Sequence, residues 1–360
     1  MDVIDIIMPK LGMTMTAGKV VRWHKQSGDT VTAGEPICEV ETDKLNSEIE
    51  AEVTGVLTVL AEEGGELGVG ATLGQISATE GAERKAPATT GAEAGGELET
   101  ISANGIKLAV QRIGTGSPLI LIHGLASSMG LWAWLDQSQL EGVQVVSYDL
   151  RGHGASGRPV GAHTLAKHMT DLVGLLAALD IEKATFVGFS LGGMIAMELA
   201  AAYPERVTSL ALLDTTAGFP QATRDMFFEL ASTASFNGMA AIADTLIERT
   251  FSAQFLATNP KIVATVRKGM LTSDASSIAA AARMVAKVDL SPRLSQIRCP
   301  TLVLVGANDQ LAPPELSEAL ITGIQGGQLQ VIADSGHATP VEQPAAVTTA
   351  LANLIKSSAS

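Results

Sequence analysis

A polar stretch rich in glycine and alanine divides this 360-residue chain into two regions of different pattern. From Ala78 to Leu98 it reads ATEGAERKAPATTGAEAGGEL, with almost no large apolar side chain. Such a segment buries too little apolar surface to offset the entropy that it would lose on ordering. We therefore predict a flexible linker over residues 78–98, with one folded domain over 1–77 and another over 99–360.

Before the linker, short runs of β-forming residues alternate with glycine turns, a pattern typical of an all-β domain. A weak internal repeat relates residues 36 positions apart. The matched pairs include Val20 with Val56, Gly28 with Gly64, Val31 with Leu67, Gly34 with Gly70 and Ile37 with Leu73. Two equivalent halves predict two sheets related by a pseudo-two-fold axis.

The two halves meet at Glu41-Thr42-Asp43-Lys44-Leu45-Asn46, for which we predict an exposed hairpin turn with Lys44 at its tip. A lysine in such a turn can be an ordinary solvated charge. Its position at the midpoint of the repeat, however, resembles that in lipoyl domains, which are flattened all-β barrels. The flanking Asp43 and Leu45 favour the lipoyl type over the related biotinyl type, whose lysine lies between methionines. The resemblance implies that lipoate is attached to Lys44.

After the linker, buried-type apolar runs alternate with helical patterns, which predicts a mostly parallel, doubly wound α/β sheet. The predicted strands are 119–123, 143–148, 185–189, 209–213, 301–305 and 329–332. The predicted helices are 165–179, 194–202, 314–324 and 345–355. The interval of about 216–290 breaks this alternation, since it is helical in pattern and has no clear strand. We predict that it forms an inserted cap.

The segment Gly188-Phe189-Ser190-Leu191-Gly192 matches G-x-S-x-G between a predicted strand and a predicted helix. This is the context in which the motif presents a nucleophilic serine on a strained turn. A glycine-rich turn without catalytic function is the alternative. A serine hydroxyl needs a base, because it is a poor nucleophile at its own pKa. We predict Ser190 as the nucleophile.

The predicted base is His337, which follows the last predicted strand and completes the chain order serine, acid, histidine. The third member is a carboxylate that orients the imidazole and stabilises its cation. Asp309, which follows the strand 301–305, is favoured, and Asp214 at the end of 209–213 is the competitor. For the oxyanion hole we predict the backbone N–H groups of Leu191 and Leu125.

These motifs together resemble the α/β-hydrolase fold with a helical cap, over residues 99–356. His123 is then expected to shape the loop that carries Leu125. The segment Asp149-Leu150-Arg151-Gly152-His153-Gly154 resembles a fixed turn of the same fold and is interpreted as structural. An exposed loop histidine without catalytic function is the alternative for His337.

A lipoyl domain fused to an α/β-hydrolase domain resembles the dihydrolipoyllysine acetyltransferase subunits of bacterial acetoin dehydrogenase complexes. The resemblance implies transfer of an acetyl group from dihydrolipoyl-Lys44 to coenzyme A. It also implies two partners, a thiamine-diphosphate-dependent acetoin dehydrogenase component and a dihydrolipoamide dehydrogenase. The chain lacks the His-x-x-x-Asp-Gly motif of other multienzyme acyltransferases, and its linker is too short for a peripheral-subunit-binding domain.

Two other functions stay open at this point. One is a true hydrolase, in which water replaces the thiol and the product is acetate. The other is a lipoyl carrier whose second domain only docks partners. Basic residues in the cap can meet the phosphates of coenzyme A or simply form a solvated helix face; these are Arg224, Arg249, Lys261, Arg267 and Lys268.

The formal net charge of −14 argues against binding to nucleic acid or to an anionic membrane, which requires a basic face. Cys38 and Cys299 form neither a metal-ligand spacing nor a disulfide framework, so we expect a reducing cytoplasm and no metal. The acidic start predicts no signal peptide. The most apolar stretch, 118–135, is too interrupted by polar residues to span a membrane.

Overall fold

The computed structural model describes residues 3–8, 17–32, 34–41, 46–51, 53–68, 70–78, 83–84 and 98–358. The chain divides into two compact units. The first comprises residues 1–86 together with 157–161, and the second comprises 87–156 and 162–360. The domain limits predicted from composition stay predictions, because most of 78–98 lies outside the described residues.

Short antiparallel strands form the first unit. They are β1 (Val3–Ile7), β2 (Ala17–Trp23), β3 (Thr30–Val31), β4 (Pro36–Glu41), β5 (Asn46–Glu50), β6 (Gly55–Val59), β7 (Glu66–Gly68), β8 (Thr72–Ala78) and β9 (Glu83–Arg84). Two four-stranded sheets have the orders β1-β8-β6-β3 and β5-β4-β2-β7. The repeat of 36 residues relates β2, β3 and β4 to β6, β7 and β8, so each sheet combines strands from both halves. The predicted all-β architecture with two equivalent sheets is confirmed.

Alternating side chains of these strands form the core of the first unit. Val20, Ile37, Leu57, Leu73 and Ile76 are fully buried. The repeat also extends to backbone conformation, because the matched pair Gly28 and Gly64 has φ values of 97° and 83°. Only glycine adopts this region without strain, which explains why glycine occupies the same position in both halves.

The second unit is built on an eight-stranded sheet with the order β10-β11-β13-β12-β15-β16-β17-β18. Its strands are β10 (Leu98–Ala103), β11 (Ile106–Gly114), β12 (Ser117–Ile122), β13 (Val143–Tyr148), β15 (Ala184–Phe189), β16 (Val207–Leu213), β17 (Thr301–Gly306) and β18 (Gln328–Ile332). In this sheet order, each strand from β13 to β18 pairs with the next in parallel, as predicted. The short β14 (Arg158–Pro159) belongs to the first unit, where it pairs with β9.

The antiparallel strands β10 and β11 at one edge of this sheet were not predicted from the sequence. The exposed polar residues Thr100 and Ser102 alternate with the more buried Ile101 and Ala103 along β10, because this edge strand is only partly buried. A search for continuous apolar runs, which identifies strands buried on both faces, therefore does not detect it.

Helices cover both faces of the sheet. They are α1 (Leu165–Ala178), α2 (Leu191–Ala202), α3 (Gln221–Asn237), α4 (Ala243–Thr250), α5 (Ala253–Thr258), α6 (Pro260–Leu271), α7 (Ala275–Val285), α8 (Pro314–Gly323), α9 (Thr339–Glu342) and α10 (Pro344–Ser358). Among the described residues, no helix is long and apolar enough to cross a membrane.

The predicted helical cap is present between β16 and β17, where α3 to α7 follow one another without an intervening strand. The largest contact within it joins α3 and α7. On α3, Phe227, Leu230, Ala231 and Ala234 are buried, at the i, i+3, i+4, i+7 spacing of one helical face. At the base of the cap, the Leu290 N–H donates to the Ala217 oxygen at 2.7 Å, which closes the insertion onto the sheet.

Candidate active site

Ser190 lies on the turn between β15 and α2, with φ 52° and ψ −116°. This conformation is strained for a residue with a side chain and persists because the surroundings hold it. The Ser190 N–H donates to the Leu213 oxygen at 2.9 Å, and the Gly193 N–H donates to the Ser190 oxygen at 2.9 Å. A Cβ at Gly192 would overlap the Ile122 oxygen. The second glycine of the motif is therefore required by packing against β12.

The structure brings the three predicted side chains Ser190, His337 and Asp309 together. His337 Nε2 lies 3.0 Å from Ser190 Oγ, and His337 Nδ1 lies 2.8 Å from Asp309 Oδ2. The other oxygen of Asp309 accepts the N–H groups of Leu311 at 2.8 Å and Ala312 at 2.9 Å. These two bonds orient the carboxylate toward the imidazole, so the geometry is that of a nucleophile, a base and an orienting acid.

The charge balance at His337 suits a base. Burial disfavours its cation, but the Asp309 carboxylate favours it, and the net effect raises the pKa of His337 above its ordinary value. The protonated form of His337 is thereby stabilised.

Asp214, the competing acid, has other partners. Its carboxyl accepts the Gly306 N–H at 3.1 Å, the Thr339 N–H at 3.0 Å and the Thr339 hydroxyl at 2.6 Å. It thus links the end of β17, which precedes Asp309, to the loop that carries His337. Burial, followed by the nearby Asp309, raises the pKa of Asp214 well above its ordinary value. The geometry favours Asp309 as the partner of His337 and a supporting position for Asp214.

Replacing Asp214 with asparagine is expected to lower stability more clearly than turnover. The asparagine side chain keeps one acceptor oxygen, but its NH2 group would face the Gly306 and Thr339 groups, which are themselves donors. We therefore expect a loss of about 1–3 kcal/mol in the free energy of unfolding. We expect kcat on a neutral ester to fall by less than about tenfold. Asp309→Asn should lose much more, because its amide favours the wrong imidazole tautomer. Urea unfolding and ester kinetics are measured for both variants. If both lose activity equally and Asp214→Asn keeps the stability of the wild type, the assignment of Asp309 rather than Asp214 as the partner of His337 is wrong.

Leu125 and Leu191, the residues predicted for the oxyanion hole, both line the cavity that also borders Ser190. Leu191 begins α2 directly after the serine. The loop that carries Leu125 passes against the serine, because a Cβ at Gly124 would lie 3.1 Å from Ser190 Cβ and 2.9 Å from the Phe189 ring. Glycine at this position therefore lets the loop backbone approach the nucleophile.

His123 is excluded as the base by its hydrogen bonds. Its Nε2 accepts the Leu150 N–H at 2.9 Å, so the proton resides on Nδ1, which donates to the Gly124 oxygen at 2.8 Å. Complete burial lowers the pKa of His123 well below its ordinary value. The ring is neutral and holds the loop next to Ser190, which agrees with the loop-shaping role predicted for it.

Two buried polar junctions of the second unit were not found from the sequence. Arg151 forms a bidentate ion pair with Asp171, at 2.6 and 2.7 Å. Glu342 accepts the Gly336 N–H at 2.8 Å and the Ser252 hydroxyl at 2.6 Å, and so ties the loop of His337 to the cap. Neither pairing has a local sequence signal, since the partners are 20 and 90 residues apart.

A cavity of about 370 Å³ adjoins Ser190 and His337 beneath the cap. Buried apolar side chains line its interior, among them Met194, Phe227, Leu246, Phe251 and Val285. Exposed residues line its mouth, namely Gly130, Ala133, Thr265, Gly269 and Thr272. His337 is the only ionisable side chain among the described lining residues. The cavity therefore suits an uncharged, largely apolar group of small-ligand size.

Lys44, the predicted attachment site for lipoate, lies outside the described residues. The strands on either side of it are described, and Glu41 of β4 pairs with Asn46 of β5 in an antiparallel ladder. Residues 42–45 connect these two antiparallel strands in the chain, and the attachment of lipoate to Lys44 stays a prediction.

The basic residues of the cap differ in their surroundings. Arg224 donates to the Ala286 oxygen at 2.7 Å, and Arg267 is paired with Asp244. Arg249, Lys261 and Lys268 are exposed. The first two arginines are thus engaged within the cap.

Comparisons with protein families match both units of the chain. The model of the α/β hydrolase fold family matches residues 117–344, and a biotin/lipoyl model described as biotin-requiring enzyme matches residues 4–76.

Curated relatives include two acetyltransferase components and an enol-lactonase. The dihydrolipoyllysine-residue acetyltransferase component of the acetoin cleaving system of Cupriavidus necator is 29% identical over 360 residues, covering 95% of this chain and 94% of that protein. The component of the same name from Pseudomonas putida is 32% identical, covering 62% and 65%. The 3-oxoadipate enol-lactonase 2 of Acinetobacter baylyi is 30% identical, covering 72% of this chain and 96% of the lactonase.

Solved structures match the second unit. An enol-lactonase from Burkholderia xenovorans has a TM-score of 0.69 and 27% identity, and covers 72% of this chain and all of that one. A malate-bound thermophilic esterase from Thermogutta terrifontis has a TM-score of 0.68 and 32% identity, covering 73% and 99%. The fold of the second unit thus occurs in solved structures of an enol-lactonase and an esterase.

Proposed function

Because this chain belongs to the α/β hydrolase family and has the two-domain organisation of the acetoin-system acetyltransferase components, we propose that it transfers acetyl groups from dihydrolipoyl-lysine to coenzyme A. The observation that carries the proposal is the hydrogen-bonded series Ser190, His337 and Asp309 beside an apolar cavity. It occurs in a chain that also contains a biotin/lipoyl domain.

Lys44 is proposed as the residue that carries lipoate. Bound there, the dihydro form of lipoate supplies a thiol that holds an acyl group as a thioester. The partners proposed from the acetoin-system relatives are a thiamine-diphosphate-dependent component that loads the acyl group and a dihydrolipoamide dehydrogenase that reoxidises the dithiol.

In the first half of the proposed reaction, His337 Nε2 accepts the proton of Ser190 while Oγ attacks the thioester carbon. The N–H groups of Leu191 and Leu125 stabilise the oxyanion that develops on the carbonyl oxygen. The C–S bond then breaks, and His337 returns the proton to the leaving thiolate. Ser190 is left as an acyl ester.

In the second half, His337 accepts the proton of the coenzyme A thiol, whose sulfur attacks the Ser190 ester. The C–O bond breaks, and the proton returns to Ser190 Oγ. One thioester has replaced another, with no net oxidation or reduction. Asp309 stabilises the imidazolium in both halves.

Water is the competing acceptor, and the lactonase and esterase among the relatives favour hydrolysis as the second candidate function. The same three side chains would then release acetate. The apolar lining of the cavity supports transfer to a thiol, because it disfavours water near the acyl-enzyme.

The products formed from the acetylated protein distinguish acyl transfer from hydrolysis. Full-length lipoylated protein is acetylated on its dihydrolipoyl group and mixed with coenzyme A, and acetyl-coenzyme A and acetate are quantified by mass spectrometry. We expect acetyl-coenzyme A to exceed acetate by about tenfold or more, because thiol and water compete for one ester in an apolar cavity.

The control for this measurement is a Lys44→Arg variant, which is expected to carry no lipoyl mass and to form neither product. Acetate as the main product in the presence of coenzyme A would establish the hydrolase instead.

A further inference from the structure

The part of the cap that borders the cavity mouth differs in charge from the rest of the protein. Residues 251–288 contain one acidic residue, Asp274, and five basic ones, so their net charge is +4 within a chain of −14. The basic residues are Lys261, Arg267, Lys268, Arg283 and Lys287. A local positive region on an acidic protein attracts anionic ligands that the remaining surface repels.

Two of these five residues, Lys261 and Lys268, share one face of α6 with residues of the cavity mouth. Lys261, Thr265, Lys268 and Thr272 follow one another at spacings of four, three and four, which places them in one stripe along a helix. Thr265 and Thr272 line the cavity mouth and are exposed. Both lysines are exposed as well, and their positions in the stripe place them next to these two threonines.

The interior of the cavity is unsuitable for a phosphate. His337 is its only ionisable lining residue among those described, and burying an uncompensated charge among Phe227, Phe251 and Val285 is strongly unfavourable. A thiol acceptor with phosphate groups can therefore place its uncharged arm inside the cavity, but its phosphates must stay outside the mouth.

We propose that Lys261 and Lys268 bind the phosphate groups of the thiol acceptor at the cavity mouth while its thiol-bearing arm enters toward Ser190. The position of Lys261 supports an anion there, because this residue lies in the first turn of α6, where the helix dipole is unfavourable to a cation. This inference rests on the proposed acyl transfer and names the residues that select a phosphate-bearing thiol.

Coenzyme A and pantetheine test the proposal, because pantetheine has the same thiol-bearing arm without phosphates. With full-length acetylated protein, we expect the wild type to use coenzyme A with a kcat/KM about tenfold or more above that for pantetheine. The double variant Lys261→Glu, Lys268→Glu should raise the KM for coenzyme A by about tenfold or more. Its KM for pantetheine should stay within about twofold of wild type.

The matched control is Lys183→Glu. Lys183 is exposed and directly precedes β15, whereas Ser190 directly follows the other end of this strand. This control makes half the charge change of the double variant and should leave both KM values unaltered. The wild type provides a second test, since raising the ionic strength from about 0.05 to about 0.5 M should raise only the KM for coenzyme A.

Equal changes in KM for both thiols, or none, would overturn the phosphate site while leaving acyl transfer intact. A wild type that forms acetate and acylates neither thiol would instead overturn the proposed function itself.

Discussion

Replacing Ser190 with alanine is expected to lower acyl transfer to coenzyme A by about 10⁴-fold or more in kcat. The hydroxyl oxygen, 3.0 Å from His337 Nε2, is the only proposed point of covalent attachment. Without it, His337 and the oxyanion donors remain, but the reaction can no longer be divided into two acyl exchanges. Single-turnover transfer from the acetylated, lipoylated full-length variant measures the effect.

Labelling with a fluorophosphonate probe tests the reactivity of Ser190 independently. It should label the wild type at Ser190 and leave Ser190→Ala unlabelled, while both proteins carry the same lipoyl mass on Lys44. Transfer by the variant at the wild-type rate would mean that the thiols exchange the acyl group directly. The second domain would then act as a docking module, which is the carrier function that the sequence leaves open.

Removing the carboxylate of Asp171 is expected to destabilise the second unit more than the Asp214→Asn substitution does. Its ion pair with Arg151 is almost completely buried, with 7% of the arginine side chain and 3% of the aspartate side chain exposed. Asn104 donates to the same carboxylate at 2.8 Å. In Asp171→Ala, the guanidinium would remain as an uncompensated buried charge, at a cost of about 3–5 kcal/mol.

Urea unfolding of the full-length protein measures this loss as a lower midpoint of the transition for the second unit. The double variant Arg151→Met, Asp171→Leu serves as the control, because it removes both charges and refills the space with apolar atoms. We expect it to recover a large part of the loss. If the double variant is as unstable as Asp171→Ala, the buried charge is not the cause, and packing of the loop after β13 is responsible.

The turn of Ser190, the parallel sheet and the cap follow from short-range sequence patterns. The 36-residue repeat predicted two equivalent sheets, and the strand orders of the first unit confirm it. Apolar runs predicted the six parallel strands within a few residues. The interruption of the alternation between strands and helices predicted the cap. The edge strand β10 escaped detection because its half-buried position leaves polar residues at alternate positions.

The partners of the polar side chains required the folded arrangement. Asp214 and Asp309 both follow parallel strands, and local sequence does not separate them. In the structure only Asp309 reaches His337 Nδ1, while Asp214 supports the loops of both. The bond between Glu342 and Ser252, across 90 residues, likewise has no local signature.

The amino-acid sequence was sufficient for the two-domain composition, the strand and helix types, the strained turn at Ser190 and the histidine that follows the last strand. These depend on periodicity, glycine placement and chain order, which act over a few neighbouring residues. The three-dimensional structure was needed to find which aspartate meets His337 and which residues line the cavity mouth. Such pairings depend on distances between segments far apart in the chain, and neither propensity nor periodicity contains those distances.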